Sequence, residues 1–257
     1  MDIIIAIILG LIQGLTEFLP VSSSGHLALF ESIFKTENNL FLSVCLHFGT
    51  LISVVVYYFK DLVNLCKPQN HKTVLSLIIS CLPAVFVMLL LKDFVSNLFD
   101  DTKFLCFGFL ITALILFTIS LVNKNLIKKQ NITHKTALLM GLTQAVAIFP
   151  GISRSGSTIF GGVVLSGADG KTSADFSFLM SIPIILGSVV FEFASVDFAN
   201  INILAIICGV ISAFLSGLFA IKIMVKITSK CNFKYFGIYM LIISLITFIN
   251  SFVYPIW

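Results

Sequence analysis

The polar positions of this chain fall in short clusters between long apolar runs. A membrane-crossing helix needs about 20 apolar residues, and six segments reach that length: 40–60, 73–92, 103–123, 174–195, 201–222 and 234–254. Two further runs stop short. Residues 3–12 give roughly 15 Å of helix at 1.5 Å per residue before the stretch EFLPVSSSGHL, Glu17 to Leu27. Residues 136–149 run into FPGISRSGST. Each break is followed by another short apolar run, 27–34 and 159–165. Two short helices joined at a polar break predict a re-entrant hairpin, which enters the membrane partway and leaves on the same side.

Composition agrees with this pattern. Of 257 residues, 58% are hydrophobic and 11% charged, against about 25% charged in a soluble domain. The apolar runs recur along the whole chain, which excludes a soluble domain on a single anchor. The start, Met1-Asp2, has no basic region and is not expected to be a cleaved signal. Six cysteines (Cys45, Cys66, Cys81, Cys106, Cys208, Cys231) show no CxxC or CxxH spacing and read as small apolar packing residues. The net charge of +4 fits topology and not nucleic acid.

Lysines mark the sides. Lys60, Lys67 and Lys72 follow the first span; Lys124, Lys128, Lys129 and Lys135 follow the third; Lys222, Lys226, Lys230 and Lys234 follow the fifth. The alternate connections carry only Lys92 and Lys103, against three Asp, and nothing basic between Glu192 and Ile203. The positive-inside rule puts the first set in the cytoplasm and both termini outside. The first hairpin (1–35) then enters from outside and the second (135–171) from inside. This is an inverted repeat, and the halves match: at an offset of 131, seven of 17 positions from Gly10 to His26 are identical, among them Gly10/Gly141, Gln13/Gln144, Ser22/Ser153, Ser24/Ser155 and Gly25/Gly156. The expected architecture is one all-α membrane domain, 1–257, with six transmembrane helices and two re-entrant hairpins, divided into repeats 1–123 and 124–257. Such repeats hold their site near the midplane, where the halves meet.

The breaks carry the chemistry. The first presents Glu17, Ser22, Ser23, Ser24 and His26, with Gln13 one helical turn before Glu17; Pro20 ends that helix, and the serines can cap the helix beginning near His26. The second presents Ser153, Arg154, Ser155, Ser157 and Thr158, preceded by Pro150-Gly151, and Arg154 is the only arginine in the chain. A charge at membrane depth costs at least ~2.5–3.5 kcal/mol, and Glu17 and Arg154 both bear that cost. Serine-rich turns at helix N-termini offer backbone N–H groups and a positive dipole end. Two such ends plus a guanidinium make an anion site suited to a phosphate or diphosphate. Glu17 and His26 add proton transfer, metal binding or nucleophile activation. The plainer readings are a Glu17–Arg154 ion pair that pins the repeats, a His26 that only caps a turn, and serines that only pack between helices. His47 reads as a satisfied core histidine; His71 and His134, in basic loops, as solvated.

At QGLTEFLPVSSSGH (Gln13–His26), PGISRSGSTI (Pro150–Ile159) and DFSFLMSIPIILG (Asp175–Gly187) the sequence resembles, nearly end to end, the bacitracin-resistance type of undecaprenyl-diphosphate phosphatase, a bacterial membrane family. The resemblance implies hydrolysis of undecaprenyl diphosphate to undecaprenyl phosphate, which recycles the lipid carrier for peptidoglycan synthesis. It implies residence in the cytoplasmic (inner) membrane, a site open to the outer face, and a divalent cation, Mg or Ca, with Glu17 as its ligand. By position, Glu17, Ser23, His26 and Arg154 match the family's essential residues, with Gln13, Ser22, Ser24, Gly25, Ser153, Ser155, Gly156 and Ser157 lining the substrate. The expected partners are the polyprenyl diphosphate, membrane lipids and a second copy in a homodimer, with no nucleic acid. The first position of the acidic motif is Glu or Gln among members; here it is Gln13, and one carboxylate fewer should hold a metal less tightly. The phosphohistidine class of lipid phosphatase is rejected, because it needs further arginines. Ser23 is the expected nucleophile, activated by His26 or Glu17, with attack by water or by His26 left open. The alternative from another class is a polyprenyl-phosphate transporter or flippase built on the same anion site.

Overall fold

The computed structural model describes residues 2–34, 36, 40–100, 102–122, 131–193 and 202–254, and every extended element among them is helical. The helices are α1 (Ile3–Phe18), α2 (Ser23–Phe34), α3 (Leu40–Tyr57), α4 (Phe59–Leu65), α5 (His71–Asp100), α6 (Leu105–Leu121), α7 (His134–Val146), α8 (Arg154–Phe160), α9 (Gly170–Phe193), α10 (Ile203–Thr228) and α11 (Lys234–Phe252); a π-helical turn, Gly161–Leu165, continues α8. Lys124, Lys128 and Lys129, the side chain of Glu192 and most of the connection after it lie outside the described residues.

Among the described residues, four stretches are long and apolar enough to cross a membrane: Pro68–Leu91, Gly170–Val190, Ile203–Thr228 and Lys234–Phe252. A fifth arises if Phe41–Tyr57 and Phe59–Leu65, bent by 74°, form one span. The chain is a multi-pass, all-helical membrane protein. α1 (16 residues) and α6 (17 residues) are apolar but shorter.

Two predicted boundaries move. The segment 40–60 breaks at Tyr58, whose backbone leaves the helix (φ −98°, ψ 19°). The Tyr58 hydroxyl donates to Asp175 Oδ1 at 2.7 Å, and Asp61 in the first turn of α4 favours a fresh helix start there. The segment 73–92 has its kink where its apolar run ends: Leu91 is non-helical (φ −117°, ψ 18°), and the helix then resumes to Asp100. The first helix ends ahead of Pro20, as predicted. α1 continues through Gln13 and Glu17 to Phe18, and Leu19, forced extended by the following Pro20 (φ −69°, ψ 146°), ends it.

Helices cross where side chains are small. α1 packs most extensively on α10. A methyl on Gly10 would come within 2.3 Å of the Gly209 carbonyl oxygen, and one on Gly14 within 2.4 Å of that of Ala213. Ser212 Oγ donates to the Ile7 carbonyl at 2.8 Å across the same seam. α7 packs on α5 in the same manner: a methyl on Gly141 would come within 2.4 Å of the Ser80 carbonyl oxygen. Backbones this close gain dispersion and weak polar contacts that larger residues would forbid. α6 lies along α11, and α3 along α9. A buried cluster that includes Phe18, Phe109, Phe178 and Phe233 fills the centre, with Phe18 and Phe178 edge to face at 5.7 Å.

Candidate functional site

The tips of the α1–α2 and α7–α8 hairpins meet. In the first, Ser22 takes a left-handed backbone (φ 67°) and its Oγ accepts from Gly25 N at 3.4 Å. α2 therefore begins at Ser23, three residues before the predicted start at His26. In the second, Gly151 supplies the left-handed residue (φ 83°), which costs glycine nothing. Ser153 caps α8, accepting from Gly156 N at 3.1 Å. Thr112 of α6 braces this turn, accepting from Ser153 N at 2.9 Å and donating to the Gly151 carbonyl at 3.0 Å. The tips are stitched together: Ser155 Oγ donates to the Leu19 carbonyl at 3.1 Å, and Gly156 lies close to Pro20, whose Cβ a methyl there would meet at 3.4 Å.

This junction sets Arg154 against Glu17. Arg154 Nη2 donates to Glu17 Oε1 in a buried ion pair. The other carboxylate oxygen, Oε2, accepts from Ser23 Oγ at 2.6 Å and from Gln13 Nε2 at 3.0 Å. Arg154 Nη1 and Gln13 Oε1 are buried without partners among the described residues. Three groups predicted from two distant motifs are thus in direct contact, and Gln13 orients the carboxylate they share.

His26 lies apart from them. Its Nδ1 donates to the Ser22 carbonyl at 2.8 Å, so in the neutral ring Nε2 accepts from the Tyr239 hydroxyl at 2.7 Å. The ring stacks on Tyr239 and leans on Phe109. In this geometry the group in contact with Ser23 is Glu17.

A cavity of about 460 Å³ opens onto the ion pair. Glu17, Ser22, Ser23, Ser24, Ser153 and Arg154 form its polar end. Its other wall is apolar, from Val85, Met88 and Leu89 of α5 and Ile184 and Ile185 of α9. Among the other predicted substrate residues, Gly25 packs on Phe109, Ser155 and Gly156 join the tips, and Ser157 is buried with its hydroxyl unpartnered. The cavity also holds His47, with Nδ1 on its own helix at the Ser43 carbonyl (2.8 Å). The sequence reading assigned His47 to the core; its spacing one turn from Ser43 and Thr50 carried no sign of the cavity. Tyr239 and Thr112 were missed because their partners are far away in sequence.

No group of three or more His, Cys, Asp or Glu gathers among the described residues. The oxygen donors present, Glu17 and the unpartnered Gln13 Oε1, fit a divalent cation held largely by a ligand's own oxygens, as Mg²⁺ is at phosphate sites.

Residues 6–246 match the family model described as bacitracin resistance protein BacA. A protein of Thermosipho africanus named undecaprenyl-diphosphatase is 41% identical over 251 residues, covering 94% of this chain and 98% of its own length. Undecaprenyl-diphosphatase 4 of Bacillus thuringiensis is 40% identical over 238 residues, covering 91% and 92%. An undecaprenyl-diphosphatase of Methanosphaera stadtmanae is 33% identical over 274 residues, covering 98% and 99%. With a buried Arg154–Glu17–Ser23 junction at the end of an apolar cavity, and with relatives that align over almost their whole length, this chain belongs to the bacitracin resistance protein BacA family.

Proposed function

We propose that this chain hydrolyses undecaprenyl diphosphate to undecaprenyl phosphate and inorganic phosphate, recycling the lipid carrier for cell-wall synthesis and conferring bacitracin resistance. The observation that carries the proposal is the Ser23 hydroxyl on Glu17 Oε2, with Glu17 Oε1 on Arg154 and Arg154 Nη1 unpartnered beside an apolar cavity. The apolar wall suits a prenyl chain and the polar end its diphosphate.

Arg154 Nη1 donates to a phosphoryl oxygen. Ser23 Oγ attacks the terminal phosphorus as its proton passes to Glu17 Oε2. The bond from that phosphorus to the bridging oxygen breaks, and undecaprenyl phosphate leaves with the electron pair. Water then attacks the phosphoserine; one of its protons and the proton on Glu17 are distributed between Ser23 and inorganic phosphate. Glu17 and Gln13 Oε1 would hold a divalent cation shared with the substrate, which would neutralise charge developing on the phosphoryl oxygens. His26, fixed by Ser22 and Tyr239, sets the pitch of the first turn of α2 and so the position of Ser23.

The finer architecture is six spans and two re-entrant hairpins in opposed repeats, in the cytoplasmic membrane, with the site open to the outer face. The swapped packing supports it: the first helix of each half, α1 or α7, lies on a late helix of the other half, α10 or α5. α6, roughly 25 Å long at 1.5 Å per residue, needs only slight bilayer thinning to span. The transport reading is not favoured: the relatives share an enzyme's name, and transport has no use for a hydroxyl set on a carboxylate. Phosphate release from undecaprenyl diphosphate by purified protein in detergent, with and without chelator, is the test. No release with metal supplied sinks the proposal; undiminished release in chelator removes the cation alone.

A further inference from the structure

Gln144 of α7 stands 131 residues after Gln13, at the matching position of the second motif. The two glutamines differ in their surroundings. Gln13 Nε2 donates to Glu17 Oε2, one turn along its own helix. One turn beyond Gln144 the sequence has Ile148 instead of a carboxylate. Gln144 is 2% exposed and lines the cavity with Ser153 and Arg154, yet neither its Nε2 nor its Oε1 has a hydrogen-bond partner among the described residues. An unpaired buried amide is destabilising, so native proteins rarely keep one without a use. Arg154 Nη1 is buried without a partner on the same cavity.

Two unpaired N–H donors on one cavity, one cationic and one neutral, fit an anion with several oxygens. Serine at 153 and 155 completes internal bonds, to Gly156 N and the Leu19 carbonyl, and so has less to offer a ligand. A neutral amide adds a directed donor without adding charge.

We propose that Gln144 donates from Nε2 to a non-bridging phosphoryl oxygen of the lipid diphosphate, beside Arg154, and is a substrate-contacting residue of the hydrolysis. The inference rests on the hydrolase reading. It makes an unusual demand: removing the amide should cost activity and no stability.

The test uses the full-length protein in detergent and two variants, Gln144→Met, which removes both polar atoms at similar volume, and Gln144→Glu, which keeps the shape and exchanges the donor for a charged acceptor. Two quantities are read: kcat/KM for undecaprenyl diphosphate, and Tm with and without inorganic pyrophosphate. The Met variant should melt no lower than the parent while kcat/KM falls ~10- to 100-fold, the range for hydrogen bonds to charged groups. The Glu variant should be worse than Met, and the pyrophosphate-induced rise in Tm should shrink in both. Parental kcat/KM in the Met variant, or a Glu variant that outperforms it, overturns the proposal. So does a Met variant that melts well below the parent, which would assign Gln144 to packing. If the parent releases no phosphate, the hydrolase reading fails, and the pyrophosphate arm decides the contact alone: equal rises in parent and Met variant, or none in the parent, overturn it.

Discussion

Arg154 and Glu17, 137 residues apart in sequence, form a largely buried ion pair through Nη2 and Oε1, and the second guanidinium nitrogen, Nη1, is left without a partner among the described residues. One nitrogen of the fork is thus committed to a carboxylate, and the other is not. A lysine has one ammonium and cannot supply both. Arg154→Lys should therefore lower kcat at least ~10-fold, and Arg154→Ala ~10²–10³-fold, as for loss of a preorganised donor, with smaller changes in KM. Michaelis kinetics on folded protein decide it. Near-parental kcat in the Lys variant would leave Arg154 as a structural partner of Glu17 only.

The same pair predicts non-additivity. Arg154→Met alone leaves the Glu17 charge buried, and Glu17→Gln alone leaves a guanidinium facing an amide; removing both removes the mismatch. In a double-mutant cycle of Tm-derived stabilities, the pair should show a coupling of ~1–3 kcal/mol. All variants lacking Glu17 should lose turnover by ~10²–10⁴-fold. Additive stabilities would mean that the pair is solvated and not closed.

Ser23 and Ser24 adjoin each other on the cavity, but only Ser23 bonds to Glu17. Ser23→Ala should lower kcat at least ~10³-fold, the scale of losing a nucleophile while binding groups remain, and Ser24→Ala less than ~10-fold. Acid quenching of the parent with substrate labelled at the terminal phosphate should leave label on the protein. A Ser23→Ala enzyme with a tenth of parental kcat would move attack to water.

Tyr239 holds His26 through one hydrogen bond and a stacked ring. Tyr239→Phe keeps the stack and loses the bond. Stability should fall by ~0.5–1.5 kcal/mol, and kcat/KM by only a few-fold, since Ser22 still fixes the other ring nitrogen. A loss as large as that of Ser23→Ala would bring His26 into the chemistry directly.

Much of this was legible in the sequence. The apolar runs gave the helices, and Pro20 with the serines gave the first tip. Glu17, Ser23 and Arg154 were chosen as single residues in two motifs and proved to be in contact. What was not legible depended on distant partners. The break at Tyr58 has no proline or glycine to announce it; it is pinned by Asp175, 117 residues on. Lys92 and Asp93 look like the end of a helix that in fact resumes after Leu91. Tyr239 is one more aromatic on an apolar helix until its hydroxyl is found on a ring 213 residues earlier. His47 was read as core because nothing in its own helix says which side meets the cavity.

Two glycines of the same helical type should respond in opposite ways. Gly141→Ala would drive its methyl to 2.4 Å from the Ser80 carbonyl oxygen, whereas nothing lies within 4 Å of a methyl at Gly187 in α9. Gly187→Ala should raise stability by ~0.5–1 kcal/mol through helix propensity. Gly141→Ala should lower it by ~1–3 kcal/mol, as overpacking does. Thermal melts in one detergent compare them; equal shifts would mean that the α5–α7 seam can spread.

The close crossing of α1 on α10 also sets an order of events in the cell. α1 precedes α10 in the chain, and the surface that accepts Gly10 and Gly14, from Gly209 to Gly217, follows it by about two hundred residues. Until then α1, with Glu17 aboard, has only α2 and α3 to lie against and lacks its most extensive partner. α1 is therefore seated late, and the Arg154–Glu17 pair reaches its final packing only once α10 is in place. A chain cut before α10 would carry Glu17, Ser23 and Arg154 but lack the surface on which α1 sits.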